Sequence, residues 1–194
     1  RHNPSGPATF DVIDFREVAP DATSRETFIG KDPKVATDGG LASGVPGVPA
    51  GLWEVHKKYG KIAWKKLFPP AIRLAEKGFP VSGEWADLTS RNFNSFNETG
   101  KQVFGRAVVD KTVKPPRTTY EPRLAGELLK QPKLARALKL MRDRGVQAFY
   151  TGVVAKDIVK TSQATGGVMT ANDLKTYTAV WRTPLRRSWR GYDL

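Results

Sequence analysis

The sequence predicts an α+β fold in which helix dominates. Apolar residues recur at spacings of three and four in stretches that begin near Pro49, Ala63, Leu124 and Gly152, the period of an amphipathic helix. Only the two ends, DVIDF at 11–15 and TAVWRTPLRRSWRGYDL at 178–194, alternate apolar and polar residues as strands do. With 194 residues and 39% hydrophobic content, the chain suits one domain, or most of one, with a real core.

The elements follow in order. Val12 and Phe15 bracket Ile13 and Asp14 in a short β-like segment, so Arg16 emerges at or just past a strand end, where ligands are often held. A short helix is expected around SRETF at 24–28, and then a loop whose glycines and prolines allow tight turns and close backbone approach. That loop, GVPGVPAG, fits neither GxxxxGK[ST] nor GxGxxG and is not a phosphate cradle. From Pro49, Leu52, Val55 and Tyr59 mark a helix that Gly60 ends. The next run places Trp64, Leu67, Phe68, Ala71, Leu74 and Ala75 on one face, with Pro69 and Pro70 breaking or restarting the helix and Gly78 capping it.

From Ser82 to Pro116 one short helix and then irregular chain are expected, with Pro115-Pro116-Arg117 opening another extended segment. LAGELLK from Leu124 reads as helical, followed by a helix striped with Leu134, Leu138 and Met141 that stops at Gly145. Val154, Ile158 and Val159 mark a helix over 152–163, ended by Gly166-Gly167. Thr170 and Asp173 predict a capped short helix in TANDLKTY, and two strands joined at Pro184 complete the chain.

Composition excludes several chemistries. The chain has no cysteine, so disulfides, thiolate metal sites and cysteine nucleophiles are ruled out. Its two histidines, His2 and His56, make no histidine-rich metal site. His56 reads as a solvated or half-buried helix residue. A net charge of +13 would attract polyanions or anionic surfaces. The basic residues are scattered, however, without the aromatic interleaving or helix-turn-helix signature of a nucleic-acid module. No stretch is long and apolar enough for a membrane span, and nothing reads as a signal peptide. The chain starts at Arg1 rather than Met and stops at RGYDL, which suggests a fragment or processed piece.

Three groups invite a chemical reading. Arg16 has the planar fork that grips a carboxylate through two parallel donors; the alternative is a structural ion pair with Asp14, Glu17 or a distant acid. Thr118-Thr119-Tyr120 lacks the neighbouring base or free α-amine that a threonine nucleophile needs and reads as ordinary β-chain. The pairs Asp11/Asp14 and Asp32/Asp38 lack an apolar setting that would part their pKa values and read as solvated or capping groups.

In order, DFREVAP, LASGVPGVPAGLWEVHKKYG, PPAIRLAEKGFPVS, AFYTGVVAKDIVK and GGVMTANDLKTYTAVWRTP resemble the large subunit of the gamma-glutamyltranspeptidase family, from Ile13 to Tyr192. The resemblance implies part of an N-terminal-nucleophile hydrolase with a four-layer αββα sandwich. Residues 1–194 are then a single partial domain, with the family's N-terminal strands and small subunit lying outside it. It implies a precursor that cleaves itself and exposes a threonine, whose hydroxyl attacks a γ-glutamyl amide without metal or cofactor. The expected partners are glutathione or another γ-glutamyl donor, an acceptor amino acid, peptide or water, and the small subunit, with no nucleic acid.

Carried over residue by residue, the resemblance assigns Arg16 to the donor's α-carboxylate and leaves no catalytic residue in this chain, which is expected to be inactive alone. It also implies a periplasmic or secreted location in bacteria. Two other readings remain: a related acylase or poly-γ-glutamate-processing enzyme of the same superfamily, and a basic polyanion-binding module.

Overall fold

A computed structural model describes residues 10–193. Along the chain come β1 (Val12–Asp14), α1 (Val48–Tyr59), α2 (Pro69–Lys77), β2 (Phe79–Pro80), α3 (Gly83–Asn92), α4 (Glu98–Phe104) and the strands β3 (Gly105–Asp110) and β4 (Arg117–Pro122). Then follow β5 (Leu128–Leu129), α5 (Pro132–Arg144), α6 (Gln147–Tyr150), α7 (Gly152–Ala164), α8 (Ala171–Thr176), β6 (Val180–Arg182), β7 (Ser188–Trp189) and β8 (Tyr192–Asp193). The strands pair as antiparallel couples, β1 with β6, β2 with β5, β3 with β4 and β7 with β8. Helix therefore dominates an α+β chain, as the spacing predicts.

The chain divides into two compact units, residues 1–64 with 140–194, and residues 65–139. In the first, Val45, Ala50, Val146, Tyr150, Ala155, Met169 and Leu174 form the core. Helix α1 begins with Pro49 in its first turn, where a missing N–H costs nothing, and ends before Gly60. Helix α8 carries the expected capping box: Thr170 accepts from the Asp173 backbone N–H, and the Asp173 carboxylate accepts from the Thr170 N–H. His56 is half-buried, its Nε2 2.7 Å from the Ile62 carbonyl oxygen and its ring against Trp53 and Trp64.

In the second unit, Phe68 just before α2 and Ile72 and Ala75 within it are buried, and Phe96 meets Phe93 edge-on and Phe104 at a tilt. Gly78 ends α2 at φ +87°, a left-handed conformation in which a side chain is strained. Strand β4 follows Pro115-Pro116 as expected, and Thr118, Thr119 and Tyr120 pair with Val109, Val108 and Ala107. They are plain members of a hairpin.

Several local expectations are corrected. Residues 24–28 form successive turns closed by Thr27 N–H to Ser24 O and Ile29 N–H to Glu26 O, not a helix. LAGELLK is a turn leading into β5, because Val81 N–H bonds the Glu127 carbonyl and Gly126 N–H bonds the Val81 carbonyl, taking the backbone groups that a helix would use internally. The segment 98–110 holds a helix and a strand where irregular chain was expected. The buried helix faces differ in part: Leu52 and Leu74 are 53% and 50% exposed, while Gly51 and Ile72, which were not on the expected faces, are buried and Ala75 is buried as expected. In α1, close approach of the Phe15 ring selects a small residue, Gly51, for the inside.

Candidate functional site

Arg16 lies two residues beyond the end of β1, and its backbone is fixed on every side. Strand β1 pairs with β6 in the register Val12 to Arg182, Ile13 to Trp181 and Asp14 to Val180. The Arg16 N–H donates to Asp14 Oδ1 at 3.1 Å, and the Arg16 carbonyl accepts the Tyr177 hydroxyl at 2.8 Å. Two residues on, the Val18 carbonyl accepts from Val45 N–H at 2.8 Å, and Asp21 N–H reaches Asp173 Oδ1 at 2.8 Å.

Glycines let this segment lie close to its neighbours. A Cβ on Gly47 would come within 2.0 Å of the Phe15 carbonyl oxygen, and one on Gly51 within 2.2 Å of the Phe15 ring. Such distances exclude any side chain unless the backbone moves. The close approach expected of the glycine-rich loop is therefore used to seat Phe15, and Arg16 with it.

A pair of tyrosines ties the seat to the core. The Tyr177 ring stacks on Tyr150 with centroids 5.8 Å apart and planes 7° from parallel. The Tyr150 hydroxyl donates to the Pro46 carbonyl at 2.7 Å and accepts from Ala50 N–H at 3.2 Å, so it caps the first turn of α1. Burial pushes the Tyr150 phenol up to about 12. Burial also raises the Tyr177 phenol, helped by the negative charges of Asp14 and Glu17. Both rings keep their protons and remain donors.

The guanidinium of Arg16, by contrast, is presented to solvent. Its side chain is 84% exposed and touches one carboxylate, Glu17 Oε1, at 3.2 Å from Nη2. Glu17 is held below the ordinary carboxylate range by its own backbone N–H and by Arg16. Asp14 turns away: its Oδ2 accepts from Arg182 Nε at 2.8 Å and Nη2 at 2.7 Å. The Arg16 N–H first, and Arg182 second, lower the Asp14 pKa. An open depression of about 340 Å³ is lined by Ile13, Asp14, Phe15, Arg16, Glu17 and Val48. A fixed backbone carrying a loosely paired fork beside a hollow suits capture of a small anion.

The carboxylate pairs form no acid–base dyad. Asp11 bonds the Tyr59 hydroxyl and Lys58, which lower its pKa in that order. Asp32 caps the turn at 33–36 through Lys34 N–H. Sequence reasoning missed Tyr177, Tyr150 and Arg182 as supports of Arg16, and saw Asp173 only as a helix cap. Their one signal is that Asp173, Tyr177 and Arg182 stand together in GGVMTANDLKTYTAVWRTP, which here meets DFREVAP at Asp14 and Arg16 and the next residue, Asp21.

A sequence model described as Gamma-glutamyltranspeptidase matches residues 6–194. The chain belongs to the gamma-glutamyltranspeptidase family. It is 36% identical over 186 residues to the glutathione hydrolase proenzyme of Pseudomonas aeruginosa, covering 94% of this chain and 31% of that protein. It thus spans under a third of that relative's length. The crystal structure of Helicobacter pylori gamma-glutamyltranspeptidase superposes with a TM-score of 0.84 at 34% identity, covering 95% of this chain and 51% of that one. The Bacillus anthracis transpeptidase enzyme CapD gives 0.72 at 30% identity, covering 95% and 54%. The α+β, mainly helical architecture is accordingly that of a portion of the family's N-terminal-nucleophile hydrolase fold, and the family is one of enzymes. Among the described residues no helix is long and apolar enough to cross a membrane.

Proposed function

We propose that this chain forms part of the large subunit of a γ-glutamyl transferase/hydrolase and holds the donor's α-carboxylate on Arg16. The observation that carries this reading is the 84% exposed Arg16 side chain on a backbone fixed by Asp14 and Tyr177. Glutathione and other γ-glutamyl amides carry a free α-carboxylate that two parallel N–H donors of one arginine would match. The weak contact with Glu17 is readily exchanged for that ligand, because exposed ion pairs contribute little.

The nucleophile is a threonine at the N-terminus of a small subunit released from the same precursor. Its Oγ passes its proton to its own α-amine and bonds the γ-carbonyl carbon, giving an oxyanion held by hydrogen-bond donors. Collapse breaks the C–N bond, and the leaving amine takes the proton from the α-amine. A γ-glutamyl ester remains. Water, or the amine of an acceptor amino acid or peptide, then attacks the ester with the same α-amine as base, and the threonine hydroxyl is restored. No cofactor enters this sequence. A periplasmic or secreted setting in bacteria goes with the reading.

Steady-state kinetics of the complete enzyme with a γ-glutamyl anilide test it. Arg16→Ala raises the donor KM at least tenfold, on the order of the 1.5–3 kcal/mol of a charge-assisted bond, with kcat less affected. Arg16→Lys recovers part of the loss, since an ammonium keeps the charge but not the fork. An unchanged KM in Arg16→Ala removes the α-carboxylate role. Residues 1–194 alone show no turnover; activity in this chain that a threonine-directed inhibitor abolishes would refute the placement of the nucleophile.

A second reading is an acylase or poly-γ-glutamate-processing enzyme of the same superfamily, supported by the likeness to the transpeptidase CapD and to a cephalosporin acylase of Bacillus halodurans. Turnover of a poly-γ-glutamate chain or an acyl amide in preference to glutathione would select it.

A further inference from the structure

We propose that Arg182 is a positioning residue for the donor: by occupying Asp14, it keeps that carboxylate from capturing the guanidinium of Arg16. The inference rests on the reading of Arg16 given above. Besides Glu17, Asp14 is a carboxylate that can compete for that guanidinium, since it already holds the Arg16 N–H. It stands two residues earlier, at the end of β1, where the chain bends so that its Oδ1 accepts the Arg16 N–H at 3.1 Å, which leaves only a short gap between its carboxylate and the Arg16 side chain. A long arginine side chain spans that gap, and a collapsed Asp14–Arg16 pair would leave no free fork for a ligand.

The structure shows what prevents this. Both oxygens of Asp14 are already used, Oδ1 by the Arg16 N–H at 3.1 Å and Oδ2 by Arg182 Nε and Nη2 at 2.8 and 2.7 Å. The register of β1 and β6 sets Arg182 opposite Val12, diagonally across the pair from Asp14, the separation that long side chains bridge. Asp14 therefore holds the Arg16 backbone while Arg182 cancels its charge. The arrangement fits positioning better than stability. The Arg182 and Asp14 side chains are 58% and 35% exposed, and an ion pair in that setting adds little to folding.

The test is steady-state kinetics of the complete enzyme with a γ-glutamyl anilide, alongside thermal melts. Arg182→Ala raises the donor KM about threefold to fivefold, the range expected when an exposed ion pair competes with a ligand, and leaves kcat near its starting value. Adding Asp14→Asn in the Arg182→Ala background returns KM towards the wild-type value, because an amide oxygen still accepts the Arg16 N–H but has no charge to offer the guanidinium. Arg182→Lys keeps a cation beside Asp14 and stays close to wild type in KM. An unchanged KM in Arg182→Ala overturns the proposal, as does a raised KM that Asp14→Asn fails to relieve. Arg16→Ala separates the two levels: no effect there sinks the α-carboxylate reading itself, whereas a large effect there beside a silent Arg182→Ala sinks only this inference.

Discussion

The Tyr177 hydroxyl donates to the carbonyl oxygen of Arg16 at 2.8 Å across a sequence separation of 161 residues. That bond ties the candidate ligand-binding arginine to the end of α8, beside the Asp21–Asp173 bond from the same segment. It acts on the backbone and leaves the guanidinium free. Tyr177→Phe keeps the stacked ring and removes only the hydrogen bond, so the expected cost is about 1 kcal/mol of folding stability. Donor KM rises in the same variant, because the Arg16 backbone loses one of its two local anchors. Chemical denaturation with steady-state kinetics checks both; a stability loss without any change in KM would make Tyr177 a purely structural residue.

Gly51→Ala places a methyl group where the Phe15 ring already stands, 2.2 Å from the position of the new Cβ. Either the ring or α1 must shift. Overpacking of this kind costs about 1–3 kcal/mol, and the thermal midpoint falls accordingly. Gly83→Ala is the control, since a Cβ there meets nothing within 4 Å. It leaves stability within about 1 kcal/mol of the starting protein.

Alkaline pH destabilises the fold through Tyr150. Its folded pKa is raised from 10.0 to about 12 by burial. A raised acid favours its neutral form in the folded state, so the stabilisation is complete below pH 10 and is lost as pH rises towards about 12. The shift corresponds to on the order of 2 kcal/mol. Denaturation curves across this window show the loss in the wild-type protein, and Tyr150→Phe lacks that component.

Acid acts through Asp173. Partial burial alone would raise its carboxyl, but the bonds from Asp21 N–H and from the Thr170 hydroxyl and N–H outweigh it and hold the group below its ordinary 3.8. The contribution is present above that value and disappears as pH falls through the lower folded value. Asp173→Asn flattens the stability profile between about pH 5 and 2. A profile as steep as wild type would show that other carboxylates carry the acid transition.

Signals that act within a few residues were legible in the sequence. Gly60 and Gly145 end α1 and α5, and Thr170 with Asp173 caps α8, because caps and turns depend on neighbouring residues alone. Arg16 was placed beyond a strand end for the same reason. Which helix face turns inward was legible only in part. Counting large apolar residues chose Leu52, Leu74 and Leu134, which are exposed, whereas packing chose Ala50, Gly51, Ile72 and Ala135; of the face expected along the second helix, Phe68 and Ala75 are buried. The supports of Arg16 were hidden too, since Tyr177 and Arg182 reach it only through pairings more than 160 residues apart in sequence.

The first unit is interrupted in sequence, with residues 1–64 rejoining only 140–194. During synthesis, Arg16 leaves the ribosome long before Tyr177 exists to hold its carbonyl. At roughly 5–20 residues per second that delay is on the order of 10–30 s. The arginine loop is thus among the last parts of this unit to set. A nascent chain halted before Tyr177 would carry Arg16 and the glycines that seat Phe15, but not the hydroxyl that holds the Arg16 carbonyl.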